Sequence, residues 1–305
     1  MKNYLILFTI FLCACTSENK KDTWANQPHE IKYSKKLEKE VWGHVLYNTD
    51  PALFYGTPVY DAALAIKAND SDRLKDILKD KPVSTLNYQE EKGKQTLNLF
   101  AIRHKDLNSL MVLTELGADP NVQSKRGVSA FLLAANVAQR FDDNSYLKYL
   151  IENGGDVNAV SKLKKNHDRT PLIAAAAYQL KNVKLLVEAG ADPHYIHYYN
   201  KELARFKQSA LHRAVLHRRI DIVNYLIFEK GVDYCILEEA PKGKRKTPWT
   251  IANQIRSMVF PLESEEYKQK MKLVKYLKER GLDYWKTPIP KIYYSNYDSV
   301  YLSKY

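Results

Sequence analysis

The sequence predicts an all-α solenoid of about six helix-pair repeats with enlarged finger loops. The first observation behind this is a helix-start anchor, a Thr or Ser followed by small or apolar residues. It recurs at Thr57-Pro58-Val59, Thr96-Leu97, Ser129-Ala130-Phe131, Thr170-Pro171-Leu172, Ser209-Ala210-Leu211-His212 and Thr247-Pro248-Trp249, in steps of 39, 33, 41, 39 and 38 residues. A second anchor closes each unit: Gly117-Ala118-Asp119-Pro120-Asn121, Gly155-Asp156-Val157-Asn158, Gly190-Ala191-Asp192-Pro193-His194, Gly231-Val232-Asp233 and Gly281-Leu282-Asp283. Self-similarity at such a period marks a repeat array. Composition agrees: 305 residues, 45% hydrophobic and 27% charged, exclude wholesale disorder and a polytopic membrane protein. With 11 glycines a Gly-rich dinucleotide fold is disfavoured, and three cysteines cannot make a disulfide framework.

From the N-terminus, MKNYLILFTIFLCAC puts one lysine before an apolar run of about ten residues, Tyr4 to Cys13. A membrane-spanning helix needs roughly 20 residues, so this run reads as a signal peptide, residues 1–14. Its end, Leu12-Cys13-Ala14-Cys15, resembles a bacterial lipobox. That resemblance implies lipidation of the Cys15 thiol by diacylglycerol and cleavage that leaves Cys15 first. It places the protein in the bacterial cell envelope, lipid-anchored on the periplasmic side. Thr16 in second place favours the outer over the inner membrane. A secretory signal cut elsewhere, without lipid, is the alternative. Cys13 is then removed and Cys15 lipidated, which leaves Cys235 alone, expected as a small buried hydrophobe.

Residues 15–33 are polar and read as a tether. The segment 34–285 holds a lid helix and the repeats. The lid, residues 34–48, gathers Leu37, Val41, Trp42, Val45 and Leu46 on one helical face. Each repeat then starts with a capping Thr or Ser, with Pro tolerated in the first turn. Small residues such as Ala134-Ala135 and Ala174 to Ala177 permit close helix approach. A second helix follows with paired apolar positions, among them Leu110 and Leu113, Leu147 and Leu150, Val183 and Leu186, and Val223 and Leu226. The glycine after it ends the helix at positive φ. Extra residues are expected in loops: 138–146 between two helices, and 161–169, 195–208 and 234–246 in the fingers. The tail, 286–305, has Pro288 and Pro290 against helix. Its Tyr293, Tyr294, Tyr297, Tyr301 and Tyr305 predict packing on the last repeat.

GADPN, TPLIAAA and ALHRAVLHRRIDIVNYL resemble the ankyrin repeat, over about residues 57 to 285. The resemblance implies a short capped helix, a longer antiparallel helix and a β-turn finger per unit. It also implies a turn hydrogen bond for His212.

The chain lacks HExxH, GxSxG, P-loop, GxGxxG and CxxC patterns, so it is read as no enzyme, with no cofactor and no small-molecule substrate. His194 and His197 stand three apart without a third ligand of suitable spacing, so no metal site is assigned. What stands above background is a basic, aromatic finger face. Lys164, Lys165, Tyr195, His197, Tyr198, Tyr199, Arg205, Lys244 and Arg245 are the candidate protein-binding residues. Tyr and Arg give contact area, a polar tip and pairing to carboxylates. A formal charge of +12 favours a protein partner with an acidic surface. Nucleic acid is excluded by the export signal, and the membrane is engaged through the N-terminal lipid. The reading is an envelope-tethered protein-binding module that uses its fingers and concave surface. The architecture is similar to bacterial ankyrin lipoproteins. That likeness implies an immunity role against a toxic effector such as a phospholipase, or an adaptor or stress-protection role for a periplasmic enzyme.

Overall fold

A helix pair recurs six times among the described residues, and each member forms for a local reason. The computed structural model describes residues 49–141, 144–162, 170–198, 207–238 and 248–305, the side chains of 137–141 aside. The signal peptide, Cys15, the tether and the lid helix lie outside the described residues.

The pairs are α1 (Tyr60–Lys67) with α2 (Ser71–Leu78), then, after a short α3 (Val83–Leu86), α4 (Leu97–His104) with α5 (Leu107–Glu115). They continue with α6 (Ala130–Phe141) and α7 (Ser145–Glu152), then α8 (Pro171–Ala175) and α9 (Leu180–Glu188). A strand pair, β1 (His197–Tyr198) and β2 (Lys207–Gln208), precedes α10 (Ala210–Leu216) and α11 (Ile220–Asn224). The last pair is α12 (Ile251–Arg256) with α13 (Glu265–Glu279), followed by α14 (Tyr293–Asn296) and α15 (Ser299–Lys304).

The helix starts follow the anchors. Thr96, Ser129, Thr170 and Ser209 each accept, through the side-chain oxygen, the main-chain N–H three residues on, at 3.4, 3.1, 3.2 and 3.2 Å. The first and sixth anchors are displaced from their expected places: α1 has Val59 at its cap position, with no side-chain cap bond, while Thr57 Oγ1 donates to Phe54 O at 2.6 Å. The cap of α12 is Thr250, whose N–H donates to Asn253 Oδ1 at 2.9 Å, and not Thr247. The Thr-Pro pair imitates a cap, but Thr250 is the residue followed by the buried Ile251 and Ala252.

First helices stack on first helices, α1 on α4, α4 on α6, α6 on α8 and α8 on α10. Second helices stack likewise, α2 on α5, α7 on α9, α9 on α11 and α11 on α13. Each unit therefore touches its neighbours in the row, the nearest-neighbour plan of a solenoid. The alanines make this possible: Ala134, Ala135 and Ala174 to Ala177 are all buried. The second helices supply the apolar mass. Leu110, Leu113, Leu147, Leu150, Val183, Leu186, Val223 and Leu226 have no exposed surface, and each such side chain stabilises by about 2 kcal/mol.

Two sequence expectations are corrected. The extra residues after Ala138 do not all enter a loop, because α6 runs on to Phe141 and absorbs them as added helical turn. Of the paired glycines, Gly154 takes positive φ (89°) and Gly155 does not. Gly155 is needed for packing: a Cβ there would overlap the Phe131 ring and lie 2.6 Å from the Leu150 carbonyl oxygen.

The turns are laced to one another. Asn87 Oδ1 accepts from Asp119 N–H at 2.7 Å. Asn121 donates to Gly154 O at 2.7 Å and accepts from Asp156 N–H at 2.9 Å. Asn158 repeats this with Gly190 O and Asp192 N–H, both at 3.0 Å. His194 stands next in this series, and its side chain makes no such bond to Gly231 or Asp233 among the described residues. A second lacing joins the fingers. Gln89 donates to Gln123 O at 2.9 Å, and Gln123 donates to Val160 O at 3.0 Å and accepts from Lys162 N–H at 2.7 Å.

The tail lies on the last pair. Tyr293 Oη donates to Ser257 O at 2.8 Å and Tyr301 Oη to Phe260 O at 2.7 Å. Arg256 donates to Tyr305 O at 2.5 Å, and Tyr305 is fully buried. Lys270, also fully buried, donates to Met258 O at 3.1 Å.

Candidate functional site: fingers and first-helix face

The finger between α9 and α10 starts as a hairpin, with His197 opposite Gln208 and Tyr198 opposite Lys207 in antiparallel register. Insertions read as loops gave no sign of this stem, which is only two residues long on each side. Its base is fixed by the buried Gln208 and by Ser209, which caps α10. Alternation does the rest: with Gln208 buried, the neighbouring Tyr198–Lys207 pair faces outward, and Tyr198 is 41% exposed. Tyr195 and His197 are half-buried, their polar atoms 3.5 Å apart. The stem thus holds Tyr195 beside His197 and turns Tyr198 to the other face. Lys164, Lys165, Tyr199, Arg205, Lys244 and Arg245 lie outside the described residues.

A second row was not anticipated. His104, Tyr178 and His217 each stand eight residues past the caps Thr96, Thr170 and Ser209. They therefore come to equivalent places at the ends of stacked first helices. Tyr178 meets His217 edge-on at 5.6 Å, and Leu216 beside it is 69% exposed. His104 packs on Phe100 at 4.3 Å and bonds the Thr49 carbonyl through Nε2 at 2.9 Å. Burial lowers its pKa, and the Thr49 bond offsets this in part. Nearby Arg103 reaches Gln95 and is pushed down to about 10 by burial and by the Arg126 charge. The signal available in the sequence was the constant offset from each cap.

The opposite face, made of second helices, carries a groove of about 450 Å³ between the α11 end and α13. Here α11 continues as a π-turn, Tyr225–Glu229, and the lining mixes Asp221, Glu229 and Glu265 with Lys268 and Lys272.

Ser209 and His212 come within 2.8 Å, but the serine is fully buried and caps α10 through the same oxygen. No group of three His, Cys, Asp or Glu among the described residues is placed to hold a metal. Cys235 is exposed, contrary to expectation: it sits in a single 3-10 turn, Tyr234–Leu237, capped by Asp233, of which only Leu237 is buried. No described helix is long and apolar enough to cross a membrane.

The family described as Ankyrin repeats (3 copies) matches residues 97–197 and 137–237, the stretch that holds α4 to α11. These are ankyrin repeats. The α1–α2 pair packs on one side of this stretch, α1 on α4 and α2 on α5, and α13 packs on α11 at the other. Among solved structures, an ankyrin repeat domain from Acinetobacter baumannii AYE is similar, with a TM-score of 0.53 and 19% identity over 72% of this chain and 98% of that one. Likeness at that identity speaks for the fold. No curated protein matches the sequence. An ankyrin array of this kind suggests a protein-binding module.

Proposed function

We propose that the protein is an envelope-tethered binding module that takes a protein partner through its fingers and the first-helix, concave side of the array. The observation that carries this is the finger stem. Tyr198 is 41% exposed on a strand pair whose register is set by buried Gln208. An aromatic held in place loses little entropy on binding. Lys207 beside it and the formal charge of +12 suit an acidic partner surface. The lipobox-like Leu12-Cys13-Ala14-Cys15 supports the tether.

Affinity capture from envelope extract, read by mass spectrometry, tests the module. Tyr198→Ala, Tyr199→Ala and Arg245→Ala combined should lose the captured partner at unchanged helical content, and full retention would move the site off the fingers. The tether is tested separately: Cys15→Ala should shift the protein from the membrane to the soluble fraction.

A further inference from the structure

Few buried groups hold the tail to the last pair. Beyond Tyr284 only Leu302 and Tyr305 are buried, and α14 buries nothing. The hydrogen bonds that accompany them run from Tyr293 to Ser257 O, from Tyr301 to Phe260 O and from Tyr267 to Lys304 O. These are part-buried or exposed, so water can replace them at little cost. An element with so few buried contacts opens before the rest of a fold. Its one fully buried side chain covers a charge. Tyr305 closes over the Lys270 amine, which has no exposed surface and makes one hydrogen bond, to Met258 O at 3.1 Å. Arg256, itself buried, lies against the same two rings as Lys270, those of Tyr305 and Tyr284. An ammonium in that place is disfavoured by desolvation and by the second cation. Ring faces shared between two cations return only part of this, and opening the tail gives the amine back to water.

We infer that the tail is a proton-controlled latch, closed over a neutral Lys270 and released from the last pair when the amine takes up a proton. Of the charges on α11, α12, α13 and the Tyr284–Lys286 turn, only that of Arg256 bears on the amine. Burial pushes up the phenols of Tyr284, Tyr301 and Tyr305, so none of them ionises between about pH 7 and 9. The closed tail holds the amine at about 7, and in water it titrates near 10.4. Only the open form keeps its proton across that range, so rising pH favours closure. Closure should strengthen about fiftyfold from pH 7 to 9. Released, the tail uncovers Lys270 and Arg256 together, a pair of cations that the closed form hides.

Methyl NMR on the full chain tests the latch. Leu302 is 8% exposed in the closed tail, so its methyl shifts report closure. In wild type they are expected at the closed position at about pH 9, moving towards the unfolded-chain position as pH falls to about 6. Tyr305→Ala should hold them at the open position at every pH, and Lys270→Met at the closed one. The Lys270 amine, followed through its own side-chain carbon shift, should titrate with the same midpoint as Leu302, a measurement that needs no variant. Leu302 shifts that stay fixed between about pH 6 and 9 overturn the proposal. So does a movement that persists in Lys270→Met, or one whose midpoint lies more than about one pH unit from that of the amine.

Discussion

The Lys270 ammonium lies 3.7 Å from the centre of the Tyr305 ring, with both side chains fully buried. Arg256 packs on the same ring at 5.3 Å and on Tyr284 at 4.5 Å. Two cations thus share one aromatic box, and the tail closes it.

Burial first, and the Arg256 charge second, push the Lys270 amine down to about 7. In the unfolded chain it titrates near 10.4. Below pH 7 both states hold the proton and the contribution is constant. As pH rises from 7 towards about 10, only the unfolded chain stays protonated, so stability climbs. Above that, Tyr284 acts oppositely: burial raises its phenol to about 12, so the unfolded chain loses its proton first and stability falls. The urea midpoint should rise between pH 7 and about 9.5 in wild type, and this rise should flatten in Lys270→Met.

The two adjacent glycines separate strain from crowding. Gly154→Ala meets nothing within 4 Å but forces a side chain onto positive φ, at a cost of about 1 kcal/mol. Gly155→Ala drives a methyl into the Phe131 ring, at about 2 kcal/mol. In a Phe131→Leu background the cost of Gly155→Ala should shrink by about 1 kcal/mol, while that of Gly154→Ala holds. Urea titration of the three single variants and the two doubles reads this directly.

Asn158→Ala removes two bonds to the next turn, to Gly190 O and Asp192 N–H. It should cost about 1–2 kcal/mol. His194→Ala, at the next place in the series, should cost under about 0.5 kcal/mol by the same measurement, because no bond to the following turn is lost.

Cys235 is exposed, yet its thiol is pushed up to about 11 by desolvation, then by hydrogen bonding to Asp233 and by its charge. Alkylation at about pH 8 should run roughly a hundredfold slower than for a free cysteine, since the thiolate reacts. Asp233→Asn should quicken it, as followed by iodoacetamide labelling.

Much of the array was legible because capping and burial are local rules. Thr96, Ser129, Thr170 and Ser209 announce their helices, and the paired apolar residues announce which face is buried. The misreadings share one cause. Thr247-Pro248 satisfies a local cap rule, but the start of α12 is decided by where Ile251 and Ala252 meet the core. Gly154 and Gly155 are equivalent locally and differ only because Phe131 lies against one of them. The row of His104, Tyr178 and His217 exists only once the helices stack, and the finger stem needs Lys207 and Gln208 to return alongside residues some ten positions earlier. Contacts between units set these features, and of them only the row left a trace in the sequence, its eight-residue offset from each cap.

The amide rungs from Asn87 through Asn121 to Asn158 stand in series, each joining one turn to the next. A force drawn between the ends of the array would be shared rung by rung, as along a chain of springs. The coil at His194, which has no such rung, would yield first. Stretching a single molecule should therefore show its earliest extension there, with the units on the Asn121 side still intact.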